Sequence, residues 1–137
     1  MPSQSRGVNA ALVVLGAATF AFGVWALVAP HSFFANVAHF EPYNRHFIHD
    51  AGALQVGVGM ALLFAAWTRS AAVVALGGFV VFQVLHVASH VVDRELGGKP
   101  WIDIPFLGLL AVVGIGALRR GWRESSVRIG SSGRGAR

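Results

Sequence analysis

The 137-residue chain contains no cysteine. Disulfides, thiolate metal sites, iron–sulfur clusters and thiol redox chemistry are therefore excluded, whichever compartment its loops occupy. Charge is scarce as well: 12% of residues are Asp, Glu, Lys or Arg, against about 25% in an ordinary soluble domain. Nor does the sequence carry a glycine-rich dinucleotide loop, a P-loop, a nucleophile elbow or a paired-histidine zinc-protease motif, so nucleotide and common hydrolase chemistry have no support.

What the chain has in abundance is apolar sequence, at 55% of residues. It is gathered into four stretches, about 8–29, 50–67, 71–92 and 101–118. A helix rising about 1.5 Å per residue needs roughly 17 to 25 residues to cross about 30 Å of hydrocarbon, and each stretch is near that length. Backbone groups in lipid must be satisfied within the segment, and the alternation of a barrel strand is missing, so the stretches read as helices. The first exceeds the apolar core of about 7 to 15 residues found in a signal peptide and is expected to be retained. The expected fold is all-α: an integral membrane four-helix bundle over 1–122, followed by a basic tail, 123–137, with too few apolar groups to fold.

The net charge of +5 reads as a topology signal before it reads as an affinity for nucleic acid. Eight of the eleven basic residues are Arg6, Arg69 and the six arginines from Arg119 to Arg137, and cytoplasmic flanks retain Lys and Arg during insertion. Both termini are accordingly expected in the cytoplasm, leaving only Arg45, Arg94 and Lys99 outside. Trp25 and Trp101 then sit near the outer interface, Trp67 and Trp122 near the inner one, as indole prefers. No aromatic residues interleave with the basic tail to form a stacking platform, so no nucleic acid is expected as a partner.

The connections differ in kind. Thr68, Arg69 and Ser70 form a tight inner turn that makes the second and third helices a hairpin with adjacent outer ends. The outer segment 30–49 holds Phe33, Phe34, Phe40, Tyr43 and Phe47 and is expected to lie on the membrane or cap the bundle. Gly52 with Gly59, Gly77 with Gly78, and Gly108 with Gly116 suit close helix approach.

Polar residues in the spans are the most informative feature, because ionisable groups are costly in a bilayer. Gln83, His86, His90 and Asp93 fall at intervals of three, four and three, which places them on one helix face. Across the hairpin, His46, His49 and Asp50 open the second helix, with Gln55 one turn deeper, and Asp103 opens the fourth. Three helices thus offer imidazoles and carboxylates to the outer half. His86 and His90 could share a transition metal with Asp50 or Asp93 completing or orienting the site, histidines on different helices could hold haem, and a histidine with an aspartate could relay protons or hydrogen-bond a quinone or another small polar ligand. The competing reading makes His86 and His90 interhelical glue, Asp50 and Asp103 helix caps, and His31, His39 and His46 interfacial residues.

The stretch PYNRHFIHDAGALQVGVGMAL and the later QVLHVASHVVD resemble a group of small four-helix membrane proteins of actinobacterial type, loosely described as DoxX-like. The shared elements are Tyr43-Asn44 with His46, Asp50-Ala51-Gly52-Ala53, and His86 with His90. The resemblance covers the chain to about Leu118. It implies a multi-pass protein of the inner or plasma membrane with a redox-linked role; the thiosulfate:quinone activity linked to the namesake is not carried over. The alternatives are a non-catalytic accessory or assembly subunit of a membrane complex, or an oligomeric transporter. Partners are then the lipid bilayer and either another membrane protein or further copies of this chain.

The orientation has a direct test. A cysteine replacing Asn36 should react with an impermeant thiol reagent in intact cells, and one replacing Ser131 should not; labelling of Ser131→Cys alone would reverse the topology.

Overall fold

The computed structural model describes the backbone of residues 4–132 and the side chains of residues 4–127. Five helices follow one another: α1 (Arg6–Val28), α2 (Pro30–Asn36), α3 (Arg45–Thr68), α4 (Ala72–Val92) and α5 (Pro100–Ser132), with no strand among the described residues. All but α2 contain segments long and apolar enough to cross a membrane. Their outward faces are apolar too: Val28, Val74 and Val92 are each more than 70% exposed. Such surface is unfavourable in water and costs nothing against lipid tails, which marks a multi-pass membrane protein.

Local chemistry sets most helix ends. The Ser5 hydroxyl accepts the Val8 N–H at 3.3 Å and the Asn44 side chain accepts the Phe47 N–H at 3.1 Å, each satisfying a donor that has no intrahelical partner. Asn44 therefore starts α3 five residues earlier than the expected boundary at 50. It also takes the capping role that Asp50 was a candidate for. Pro30 opens α2, where its fixed φ suits the first turn and its missing N–H is no loss.

Helix packing is dominated by α1 against α3 and α4 against α5, with lighter contacts joining α3 to α4 and α1 to α5. The α1–α3 seam is built on four glycines. A Cβ on Gly59 would lie 2.8 Å from the Gly16 carbonyl oxygen and 2.6 Å from the Phe20 nitrogen, and one on Gly23 would lie 2.7 Å from the Gly52 carbonyl oxygen. Gly16 faces Gly59 and Gly23 faces Gly52, so seven residues forward on α1 match seven back on α3. The two helices are antiparallel with their backbones in contact.

Gly52 and Gly59 thus serve the packing role expected of them, whereas Gly77, Gly78, Gly108 and Gly116 do not within this chain. A Cβ at any of those four would meet nothing within 4 Å. On the α4–α5 seam the close approach is instead at Gly114, against the Phe79 ring. The hairpin turn forms as expected, with Arg69 and Ala71 both left-handed and the Thr68 and Ser70 hydroxyls 2.9 Å apart. Yet α3 and α4 pack less closely than α1 and α3, because the glycines of α4 point elsewhere.

Two apolar clusters fill the interior. Near the turn, Leu12, Leu15, Leu62, Leu76 and Phe79 interlock from α1, α3 and α4. At the other end, called here the cap end, α2 drives Phe33 and Phe34 against Ala26 and Ile48. The aromatic-rich segment 30–49 therefore folds as a cap on the bundle. At the turn end α5 runs on to Ser132, past the expected end of the span at 118 and into the region expected to be unfolded from 123. Arg120 pairs with Glu124 at 3.2 Å, Ser125 and Ser126 hydroxyls donate to carbonyls four residues back, and Glu124 accepts the Ser5 N–H at 3.4 Å. These contacts tie the extension to the start of α1; residues 133–137 lie outside the described residues.

Gly59→Ala should overpack the α1–α3 seam and cost about 1–3 kcal/mol. Gly77→Ala, with open space around it and better helix propensity, should be neutral or stabilise by up to about 1 kcal/mol. Thermal unfolding in one detergent checks both, and equal effects would remove the seam from its central place.

Candidate functional site

The polar face of α4 begins at Gln83, which is 2% exposed and donates its side-chain N–H to the Leu107 carbonyl of α5 at 3.2 Å. That bond accounts for Gln83 as interhelical glue. One turn further on, His86 and His90 lie on the same face with ring centroids 5.0 Å apart. The Phe82 ring flanks His86 at 5.5 Å, and the Ser89 hydroxyl is occupied by the His86 backbone carbonyl. Asp103 lies in the first turn of α5.

Asp103 has a structural task. Its carboxylate accepts the Lys99 backbone N–H at 2.7 Å, closing the start of α5, where a negative group also meets the positive end of the helix dipole. The capping reading of Asp103 is therefore satisfied by geometry. The same carboxylate stands beside Gly98, in the loop between α4 and α5.

That loop is stitched to the α2–α3 loop. Gly98 donates its N–H to the His39 carbonyl at 2.8 Å, and Gly97 and Gly98 both have positive φ, 153° and 72°. Glycine is required here because a Cβ on Gly98 would lie 3.0 Å from Asp103 and 3.1 Å from Phe40. The Phe40 ring then meets His90 edge-on, at 5.7 Å and 84°. Phe40 is in effect a lid over the end of the histidine face. Only the general aromatic character of segment 30–49 hinted at it, since nothing in the linear order pairs Phe40 with Gly97 and Gly98.

The α3 residues divide. Asp50 points outward, where its carboxylate pairs with His46 at 3.5 Å; both side chains are exposed. His49, half-buried, has its Nε2 buried without a hydrogen-bond partner, and His86 Nδ1 is in the same condition. Helix geometry explains the split. Successive residues are about 100° apart, so with Ile48 buried against α1 and α2, Asp50 is carried to the far side of α3.

Among the described residues no three His, Asp or Glu side chains come together as a metal-ligand group. His86, His90 and Asp50, expected to share one site, are not joined that way. Gln55 is half-buried one turn below, and Asp93 ends α4, its N–H donating to the Ser89 carbonyl at 2.8 Å. His31 and His39 belong to the cap, their rings 4.9 Å from Tyr43 and Phe34 respectively.

The arrangement places imidazoles of α3 and α4 toward the cap end of the bundle, with one ring nitrogen each of His49 and His86 buried without a hydrogen-bond partner. Comparison with protein-family models, with curated proteins and with solved structures finds no match to the chain.

Gly98→Ala should loosen the loop-to-loop stitch, costing about 1–2 kcal/mol for the left-handed residue. Lifting Phe40 away should also make His90 react faster with diethyl pyrocarbonate; an unchanged rate would show that Phe40 does not cover it.

Proposed function

We propose that this chain is an up-and-down four-helix bundle of the inner or plasma membrane, with both termini cytoplasmic, and that its cap end binds a small neutral ligand of the quinone class through His49, His86 and His90. The basic residues and tryptophans support the orientation, since Arg6, Arg69 and the arginines of α5 all belong to the turn end. The reading rests chiefly on the two buried, partnerless imidazole nitrogens. Leaving such an atom unpaired costs roughly 1–3 kcal/mol, so a ligand that supplies the missing partner recovers that energy.

Ligand class follows from what the imidazoles can do. A neutral imidazole has one donor and one acceptor nitrogen, so it can donate to a quinone carbonyl or accept from a quinol hydroxyl. A quinone reaches a membrane site through the lipid, and flanking rings such as Phe40 and Phe82 suit its flat headgroup. A transition metal is less well served, because the carboxylate of Asp50 is turned away. Two axial haem ligands could not both come from His86 and His90, which occupy one face of one helix. The DoxX-like motifs favour a redox-linked role for the same residues.

The accessory-subunit reading retains one specific support. Gly77, Gly78, Gly108 and Gly116 leave open space on α4 and α5, where a helix of another membrane protein could approach closely.

A short-chain azidoquinone should label the purified protein saturably in lipid nanodiscs and be displaced by unlabelled quinone. His86→Leu and His49→Leu should each weaken binding about tenfold, the loss of roughly one hydrogen bond, while Asp50→Asn should leave it unchanged. No saturable labelling of the native protein, or equal loss in all three variants, would overturn the assignment. Bound metal that disappears in His86→Leu would favour a metal site instead.

A further inference from the structure

At the turn end, opposite the histidines, α1, the 69–71 turn and α5 enclose a recess of about 170 Å³. Its polar wall holds Arg69, Ser70, Glu124 and Ser125, and its apolar wall includes Val8 and Val74. We propose that this recess binds the headgroup of an anionic phospholipid bearing hydroxyl groups, phosphatidylglycerol being the simplest. The inference rests on the membrane-spanning reading above and is independent of what the histidines bind.

Charge argues first. Arg69 lines the recess and makes no ion pair among the described residues, while Arg6, Arg119, Arg120 and Arg123 crowd the same end. Arginines beside the end of a membrane helix attract anionic headgroups near the surface. The first turn of α4 also lines the recess, and no side chain caps it, so its N–H groups add donors for a phosphate.

Depth argues for a lipid over a free anion. Trp67 and Trp122 flank this end with 81% and 64% of their surface exposed, as indoles at the headgroup level are. Val74, 76% exposed, continues the recess onto the lipid-facing side of α4. A phosphate held by Arg69 therefore has an apolar track for the acyl chains attached to it.

Glu124 decides which headgroup. One of its oxygens pairs with Arg120 at 3.2 Å and the other accepts the Ser5 N–H at 3.4 Å, so its charge is largely offset. A carboxylate and the Ser125 hydroxyl in the wall are acceptors for headgroup hydroxyls, which glycerol supplies and choline lacks.

The test uses the full-length protein in nanodiscs of neutral phosphatidylcholine doped with phosphatidylglycerol, read by native mass spectrometry and thermal unfolding. One phosphatidylglycerol should be retained and should raise the unfolding temperature, phosphatidylserine should do so less, and inorganic phosphate or soluble glycerol phosphate should do neither at matched concentration. Arg69→Gln should weaken retention about tenfold, Arg69→Lys should keep most of it, and Gly121→Leu should abolish it by filling the recess, since a Cβ there meets only Val73 and Val8 at 3.7 Å and 3.9 Å. Arg94→Gln, at the opposite end, should change nothing. Equal retention of phosphatidylcholine, equal effects of Arg69→Gln and Arg94→Gln, or full stabilisation by inorganic phosphate would each overturn the proposal. Release of the chain from membranes by alkaline carbonate would instead overturn the membrane-spanning reading beneath it.

Discussion

Backbone meets backbone where α1 crosses α3, at Gly16 with Gly59 and Gly23 with Gly52, and this contact constrains the rest of the chain. In a bilayer, lipid tails are as apolar as the side chains they compete with, so burial alone does not hold helices together. Close approach does, through many short dispersion contacts that only glycine permits. With α1 and α3 locked in register, Leu12, Leu15 and Leu62 close the core at the turn end, and Ala26 and Ile48 receive the phenylalanines of α2 at the other.

The register of α3 then decides the fate of its polar residues. Ile48 must face α1 and α2, which turns Asp50 outward to His46 and leaves His49 half-buried. A carboxylate at an exposed rim can stay solvated; an imidazole can be buried neutral at far lower cost. The same division is visible on α4 and α5. Gln83 is paired across the seam and Asp103 is held by backbone at a helix start, so His86 is left with an unpartnered nitrogen.

The two ends of the bundle are chemically opposite. At the cap end, loops carrying Phe40, Gly97 and Gly98 meet beside the His90 imidazole, the end proposed above for a neutral ligand. The turn end carries an excess of arginine around an open recess, the end proposed above for an anionic headgroup. A residue's partner at either end is set by which loops meet there: the His39 carbonyl with the Gly98 N–H at one, the Ser5 N–H with the Glu124 carboxylate at the other.

Much of this was legible in the order of residues alone. Four spans, a tight turn at 68–70, the shared face of Gln83, His86 and His90, and the packing role of Gly52 and Gly59 all follow from local spacing, because helical periodicity and bilayer thickness act on contiguous sequence. The helical run beyond Trp122 was missed because its Ser, Gly and Arg content looks unfoldable until Glu124 finds Ser5, more than a hundred residues away. Likewise, linear spacing places His46, His49 and Asp50 together at the head of one helix but cannot say which of them turns inward. Rotation of α3 is set by contacts with α1 and α2, and the Phe40 lid by a meeting of two loops more than fifty residues apart. Sequence determined which groups were available at each end of the bundle; only the packing of helix against helix decided which were paired, which were turned away, and which were left without a partner.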